Sequence, residues 1–98
     1  MIEQSGELAC VSAPMTMGTA ASLMQKGVDA IDNGARSFDL SGASEIDSAA
    51  LAVLFAWMRH AQVVGANLRL QGLPPHIQGL AEVYDVSDVI AGHLATSA

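Results

Sequence analysis

The stretch FDLSGASEIDSAALAVL, residues 38–54, contains a short strand-like run, a polar loop and the beginning of an apolar helix. Phe38 and Leu40 belong to the strand-like run, which Gly42 ends. Asp47 and Ser48 then precede a series of good helix formers, which predicts a helix from residue 48 to about residue 64, closed by Gly65. A strand that leads through a short loop into a helix is typical of α/β domains.

The residues that precede this stretch predict two strands and a helix. GELACVSA, residues 6–13, alternates in the way a strand does, and IEQS before it is predicted to pair with it as a short edge strand. Apolar residues then recur at helical spacing from Met17, and Asn33-Gly34 supplies a left-handed stop. The first third of the chain is therefore predicted to fold as strand, strand and amphipathic helix.

The residues that follow the stretch predict one more strand and a final helix. ANLRLQGL, residues 66–73, reads as a strand, and a helix is predicted to start near Pro75 and to reach Tyr84. Strands that alternate with helices through short connections predict a single α/β sandwich with a mixed sheet of about four strands and three or four helices. We place this domain at residues 1–91 and predict a flexible tail at residues 92–98.

The charge of the chain argues against a nucleic-acid partner. Ten acidic residues outweigh four basic ones, which gives a formal net charge of -6. The basic residues are scattered along the sequence: Lys26, Arg36, Arg59 and Arg69. Such a surface repels phosphate backbones, so we expect no binding to nucleic acid.

The sequence also predicts a soluble protein that stays in the cytoplasm. The longest apolar run, Ala49 to Met58, is shorter than the roughly 20 residues that a membrane span needs. The N-terminus has acids where a signal peptide needs cations. Cys10 is the one cysteine, and its position in a strand-like stretch predicts a buried, reduced thiol, which favours a reducing compartment.

Two motifs of the central stretch carry a resemblance to a known family. They are Phe38-Asp39-Leu40-Ser41 at the end of a strand and Ile46-Asp47-Ser48-Ala49-Ala50-Leu51 at the start of a helix. In this respect the chain resembles the STAS domain family, which includes antagonists of anti-sigma factors, cytoplasmic tails of sulfate transporters and free-standing subunits of bacterial transporters. The order and spacing of elements agree over nearly the whole chain, although the central motif is the specific part.

Two further motifs resemble those of free-standing STAS subunits of phospholipid transporters: Leu70-Gln71-Gly72 and Leu80-Ala81-Glu82-Val83-Tyr84. This resemblance implies a non-enzymatic cytoplasmic subunit that binds the ATPase of an ABC transporter and, through it, a permease. Such a transporter maintains outer-membrane lipid asymmetry, and the subunit is peripheral to the inner membrane through its partner. The alternative is an anti-sigma factor antagonist that switches partners and is phosphorylated on serine by an anti-sigma kinase.

One position departs from the pattern of the anti-sigma antagonists. Their motif places a phosphate-accepting hydroxyl where this chain has Ala49, which cannot be phosphorylated. Ser48 retains the preceding hydroxyl, so it is the possible phosphorylation site. A phosphate there would add about two negative charges. The departure lowers the weight of the sigma-regulator interpretation.

The start of the central helix has both a structural and a functional interpretation. Asp47 and Ser48 are residue types that cap helices, and an acid there also meets the positive end of the helix dipole. The helix is apolar nearly all round, which indicates either burial in the core or cover by another protein. We predict a partner-binding surface, against the alternative that Trp57 packs internally. This surface comprises Asp47, Ser48, Ala49, Ala50, Val53 and Trp57.

The sequence predicts no catalytic residue, metal site or cofactor. His60, His76 and His93 lie far apart, without a further ligand at metal-binding spacing. No glycine-rich phosphate-binding motif occurs, and no serine lies in a nucleophile elbow. Asp39 and Asp47 are expected near one another, but paired carboxylates without a pocket more often serve turns and caps than acid–base chemistry. We therefore predict an adapter that acts by occupying the surface of a partner.

Overall fold

The structure is a computed structural model that describes residues 1–93. Its elements follow the predicted order, with a short fourth helix at the end. The strands are β1 (Ile2–Ser5), β2 (Leu8–Val11), β3 (Ser37–Asp39) and β4 (Arg69–Gln71). The helices are α1 (Ala20–Asp32), α2 (Ala49–Val63), α3 (Pro75–Val83) and α4 (Ser87–Ala91).

The four strands form one mixed sheet in the order β1-β2-β3-β4. β1 and β2 are antiparallel and joined by a tight turn in which Gly6 has φ of 61°, a conformation that favours glycine. β2, β3 and β4 are parallel, as expected for strands that are connected through α1 and α2. The predicted α/β sandwich with a mixed four-stranded sheet is confirmed.

One face of the sheet contributes to the core, and the other carries polar residues. Ala9, Val11, Phe38 and Leu70 are buried, whereas Cys10 is exposed. The prediction of a buried Cys10 thiol is therefore wrong. Alternation shows that Ala9 and Val11 share one face and Leu8 and Cys10 the other, but it does not tell which face the helices cover.

Trp57 joins α2 to α1 in the centre of the core. Its side chain is fully buried, its ring centroid lies 4.5 Å from that of Phe38, and its Nε1 donates hydrogen bonds to the Leu23 carbonyl at 3.1 Å and the Met24 carbonyl at 3.3 Å. Gly27 faces the indole so closely that a Cβ at this position would overlap Trp57 Nε1. The absence of a side chain on Gly27 thus lets α1 enclose the indole.

This packing overturns part of the predicted docking surface. Ala50, Val53 and Trp57 each have 0% of their surface exposed, so they are core residues, and the prediction that this side of α2 faces a partner is wrong. The physical reason is the close approach of α1, which covers the face of α2 that carries these three residues. The internal packing of Trp57, the alternative interpretation, is what the structure shows.

The ends of α1 and α2 agree with the predicted stop signals, and the start of α1 is the boundary that differs from its prediction. Gly34 and Gly65 have φ of 100° and 75°, as expected for the residues that end α1 and α2. α1 begins at Ala20 rather than near Met17, because the Thr19 hydroxyl accepts a hydrogen bond from the Thr16 amide and donates one to the Pro14 carbonyl. These bonds hold the preceding residues in a turn.

The chain after α4 returns to the free edge of the sheet. The Leu70 amide donates a hydrogen bond of 2.7 Å to the His93 carbonyl, and His93 Nδ1 lies 3.2 Å from the Leu68 carbonyl. The predicted tail, residues 92–98, thus begins with two residues that the structure describes. The prediction for residues 94–98 lies outside the described residues.

Candidate functional site

Two loops meet at the carboxyl end of the parallel strands, where α2 begins. The Met15 amide donates to the Glu45 carbonyl at 2.7 Å, and the Asp47 amide donates to the Met15 carbonyl at 3.3 Å. Met15 is fully buried and forms a parallel bridge with Ile46. We call residues 15–19 and 45–48 the paired loops. Their shared hydrogen bonds fix the start of α2 against the turn that precedes α1.

Asp47 caps α2 and also holds the opposite loop. Its Oδ1 accepts a hydrogen bond of 2.8 Å from the Ala49 amide, and its Oδ2 accepts one of 3.1 Å from the Met17 amide. Ser48 already has helical angles, φ of −61° and ψ of −20°, so Asp47 acts as the capping residue. Capping is thus one of two structural roles of this carboxylate, because its second oxygen fixes the turn at Met17.

Ser48 has a different environment from Asp47. Its side chain is exposed and makes no capping hydrogen bond. It lies at the rim of an open groove of about 340 Å³, which we call the Ser48 groove. The lining residues of this groove are Ser48, Leu51, Ala52, Phe55 and Tyr84. Since Asp47 supplies the cap, Ser48 is available for contact with a partner or for modification.

The Ser48 groove is apolar along its floor and lies between α2 and the end of α3. Ala52 is exposed, Phe55 is half-buried, and Tyr84 has 57% of its surface exposed. Tyr84 follows the last residue of α3, and the turn that comes next includes Asp85 at φ of 57°. Phe55 and Tyr84 are the aromatic residues of this groove, and aromatic side chains are enriched in protein interfaces.

Asp39 organises the end of β3, next to the paired loops. Its Oδ1 accepts a hydrogen bond of 2.9 Å from the Ser41 amide, and hydrogen bonds from the Ser41 backbone, the Ser41 hydroxyl and the Gln71 side chain lower the pKa of Asp39 below its ordinary value. Gly72, with φ of 63°, passes so close that a Cβ there would lie 2.5 Å from Asp39 Oδ1. The Asp39 carboxylate therefore stabilises the turn after β3, as the Asp47 carboxylate caps α2.

The structure divides the six predicted contact residues into two groups. Ser48 is exposed, and Asp47 and Ala49 are half-buried, so these three lie at the accessible start of α2. Ala50, Val53 and Trp57 lie in the core. The first group remains a prediction of partner contact.

The accessible surface around Ser48 also includes residues that were not predicted as partner contacts from the sequence. Met17 has 81% of its surface exposed and follows directly from the turn that Asp47 holds. Tyr84 belongs to the LAEVY motif, which could have indicated it. For Met17 the helical spacing was misleading, because it assigned this residue to the apolar stripe of α1.

Within residues 1–93, no cluster of three or more His, Cys, Asp or Glu side chains is arranged to hold a metal ion. His60 instead pairs with Asp32, with Nε2 and Oδ1 2.7 Å apart, and so links the ends of α2 and α1. In the same part of the chain, no helix has both the length and the hydropathy of a membrane span.

The fold and this surface together define a class. A four-stranded mixed sheet, a turn formed by Asp39 and Ser41, and a capped helix that opens onto the Ser48 groove make a small α/β domain of the STAS type. A family model described as "Mlab, STAS domain" matches residues 9–94, and the chain belongs to this MlaB-like STAS family. STAS domains act through protein–protein interaction.

A solved structure agrees with this assignment at the level of the fold. The chain superposes on the unphosphorylated form of the anti-sigma factor antagonist SpoIIAA with a TM-score of 0.69 and 13% sequence identity. The match covers 99% of this chain and 88% of SpoIIAA. A comparison with curated proteins finds no match.

Proposed function

We propose that this chain is a non-enzymatic cytoplasmic subunit that binds the ATPase of an ABC-type phospholipid transporter. Through the ATPase it joins a permease and lies peripheral to the inner membrane, and the transporter maintains the lipid asymmetry of the outer membrane. The support for the partner class is membership of the MlaB-like STAS family. The chain contributes a surface, and the ATPase contributes the energy for lipid movement.

The observation that carries the proposal is the exposed start of α2. Ser48 needs no role in capping, because Asp47 provides the cap through a 2.8 Å hydrogen bond to the Ala49 amide. Beside it, the Ser48 groove offers an apolar floor and the exposed Tyr84 ring. A rigid helix start next to an open apolar groove suits an adapter, since the surface exists before the partner arrives.

A second candidate function is that of an anti-sigma factor antagonist regulated by serine phosphorylation. The fold similarity to SpoIIAA and the exposed Ser48 hydroxyl favour it. Ala49 stands against it, because the residue at the acceptor position of that motif has no hydroxyl here. We therefore rank it second, with an anti-sigma kinase as the corresponding partner.

The proposal is tested by co-expression of the tagged chain with the ATPase and permease of a phospholipid transporter from the same organism. We expect the wild-type chain to co-purify with both at a fixed ratio. Ala52→Arg should fill the Ser48 groove and abolish co-purification without a change in thermal stability. Gln62→Arg adds the same charge at another exposed position of α2, about 15 Å along the helix, and should leave the complex intact. Failure of the wild-type chain to bind the ATPase contradicts the proposal.

The two candidate functions also differ in what happens at Ser48. Incubation with an anti-sigma kinase and ATP, followed by mass spectrometry, should leave the chain unmodified if it is a transporter subunit. Phosphate on Ser48, lost in Ser48→Ala and accompanied by release from the kinase, would establish the antagonist function instead.

A further inference from the structure

Met17 is an exposed apolar side chain on a fixed backbone. Among the described residues it is the most exposed large hydrophobic side chain, at 81%. Its amide donates to Asp47 Oδ2 at 3.1 Å, the buried Met15 lies two residues before it, and the Thr19 hydroxyl closes the turn after it. A methionine held this way contributes little to the core, but it presents a flexible, polarisable group at the start of α2.

Glu45 gives the same surface a negative charge. Its side chain is exposed, and its carbonyl accepts the hydrogen bond from the Met15 amide, so it lies in the loop that pairs with the Met17 turn. Asp47 adds a second carboxylate, whose two oxygens are engaged by backbone amides. The paired loops therefore combine an exposed apolar side chain, Met17, with an exposed carboxylate, that of Glu45.

The four basic residues of the chain lie away from the paired loops. Arg36 directly precedes β3, and Arg69 is the first residue of β4. Both therefore lie at the amino end of the parallel strands, opposite the start of α2. Lys26 lines a separate groove between β1 and α1. Arg59 follows Ser48 by eleven residues of α2, about 16 Å along the axis. Within residues 1–93, none of these four side chains forms an ion pair with Glu45.

We propose that Met17 and Glu45 complete the docking surface, and that the partner meets them with an apolar pocket bordered by Lys or Arg side chains. The inference rests on the proposed function, because it describes the face of the ATPase that the chain contacts. The Met17 side chain enters the pocket, and Glu45 attracts the cations at its border. Asp47 keeps the Met17 backbone in place through the hydrogen bond that its Oδ2 accepts from the Met17 amide.

The Met17 contact is tested with the purified ATPase of the phospholipid transporter and a matched pair of variants. Met17→Ala and Val63→Ala each shorten a side chain that is about four-fifths exposed, at 81% and 78%, at opposite ends of the α1–α2 layer. We expect Met17→Ala to weaken binding about tenfold in calorimetry, the loss that is typical of an important contact residue. Val63→Ala should bind like the wild type, and both variants should melt at the wild-type temperature.

The charge is tested by binding kinetics at several salt concentrations. Glu45→Gln should lower the association rate constant about threefold at low salt and make its salt dependence shallower, with little change in dissociation. Glu7→Gln is the control, since Glu7 is also exposed but lies in the turn between β1 and β2. The Glu7 carbonyl accepts a hydrogen bond from the Arg36 amide there. This control variant should bind with wild-type kinetics.

The outcomes separate this inference from the function on which it rests. If the wild-type chain binds the ATPase but Met17→Ala binds as tightly as Val63→Ala, the inference is wrong and the proposed function stands. The same conclusion follows if Glu45→Gln keeps the salt dependence of the wild type. If the wild-type chain does not bind the ATPase, both are wrong.

Discussion

Two sides of α2 have opposite surroundings: the side at the helix start that carries Ser48 and Ala52, and the side that carries Trp57. In the first turn, Ser48 and Ala52 are exposed beside the Ser48 groove, and Asp47 links the helix to a neighbouring loop. In the third turn, Trp57 is fully buried and donates hydrogen bonds to carbonyls of α1. One end of the helix is thus accessible to a partner, while the middle holds the domain together.

The difference shows that an apolar helix face is weak support for a binding surface. What decides accessibility here is the neighbouring helix, because Gly27 lets α1 approach close enough to cover Trp57. At the start of α2, Asp47 accepts a hydrogen bond from the Met17 amide, and the Ser48 groove is open on the side that faces the end of α3. The following predictions test whether the Trp57 region of α2 stabilises the fold while the start of α2 stays accessible to a partner.

Trp57→Ala should have the largest effect. It removes a fully buried indole, its contact with Phe38 and its hydrogen bonds to α1, which should cost about 3–5 kcal/mol of unfolding free energy. Urea unfolding measures this loss. Any reduction in partner binding should follow the fraction of unfolded protein. A variant that remains as stable as the wild type but no longer binds would return Trp57 to the docking surface.

Gly27→Ala should destabilise the domain through the same contact, by about 1–3 kcal/mol, because the added methyl group overlaps Trp57 Nε1. Gly79→Ala is the matched control. Gly79 also lies inside a helix, but an added Cβ would have no neighbour within 4 Å. The control should be neutral or gain up to about 1 kcal/mol from the higher helix propensity of alanine. Equal melting temperatures for the two variants would mean that α1 and α2 are less closely packed at Gly27 and Trp57 than the structure shows.

Asp47→Ala should cost about 1–2 kcal/mol of stability, since it removes the helix cap and the hydrogen bond to the Met17 amide. Ser48→Ala should change stability by less than about 0.5 kcal/mol, because the Ser48 hydroxyl makes no capping bond. Chemical unfolding of both variants checks the assignment of the cap. A larger loss for Ser48→Ala than for Asp47→Ala would contradict it.

The smallest effect is expected from the pH dependence of Asp39. Hydrogen bonds from Ser41 and Gln71 lower its pKa below the ordinary value of 3.8. A carboxyl whose pKa is lower in the folded state stabilises fully above its ordinary pKa and loses this contribution as the pH falls through the folded value. Unfolding measured between neutral and acidic pH should therefore show a smaller acid-induced loss for Asp39→Asn than for the wild type. An unchanged slope would show that Asp39 titrates alike in both states.

Much of the fold could be predicted from local signals. Gly34 and Gly65 mark the ends of α1 and α2 because positive φ favours glycine, and the alternation of strands and helices gave the parallel arrangement. The burial of particular faces could not be predicted in this way. Cys10 and Trp57 were assigned wrongly because their exposure depends on which face the helices cover, and this is set by contacts between residues far apart in the sequence.

The candidate site could be predicted only in part, because local signals identify the start of a helix but not the residues that other loops bring next to it. Asp47 and Ser48 were identified because a helix start has a local sequence signature, and their division into a cap and an exposed hydroxyl required coordinates. Met17, Glu45 and Tyr84 come next to them through the pairing of loops and the path of α3. No local pattern encodes these proximities.

The central claim is that the partner docks on the start of α2. Hydrogen–deuterium exchange of the chain, alone and bound to the ATPase of the phospholipid transporter, tests it most directly. Binding should slow amide exchange in the paired loops, at residues 15–19 and 45–48, while the amides at the C-terminal end of α2 exchange as in the free protein. Protection confined to the end of α2 near Val63, or to the polar face of the sheet near Cys10, would contradict the account.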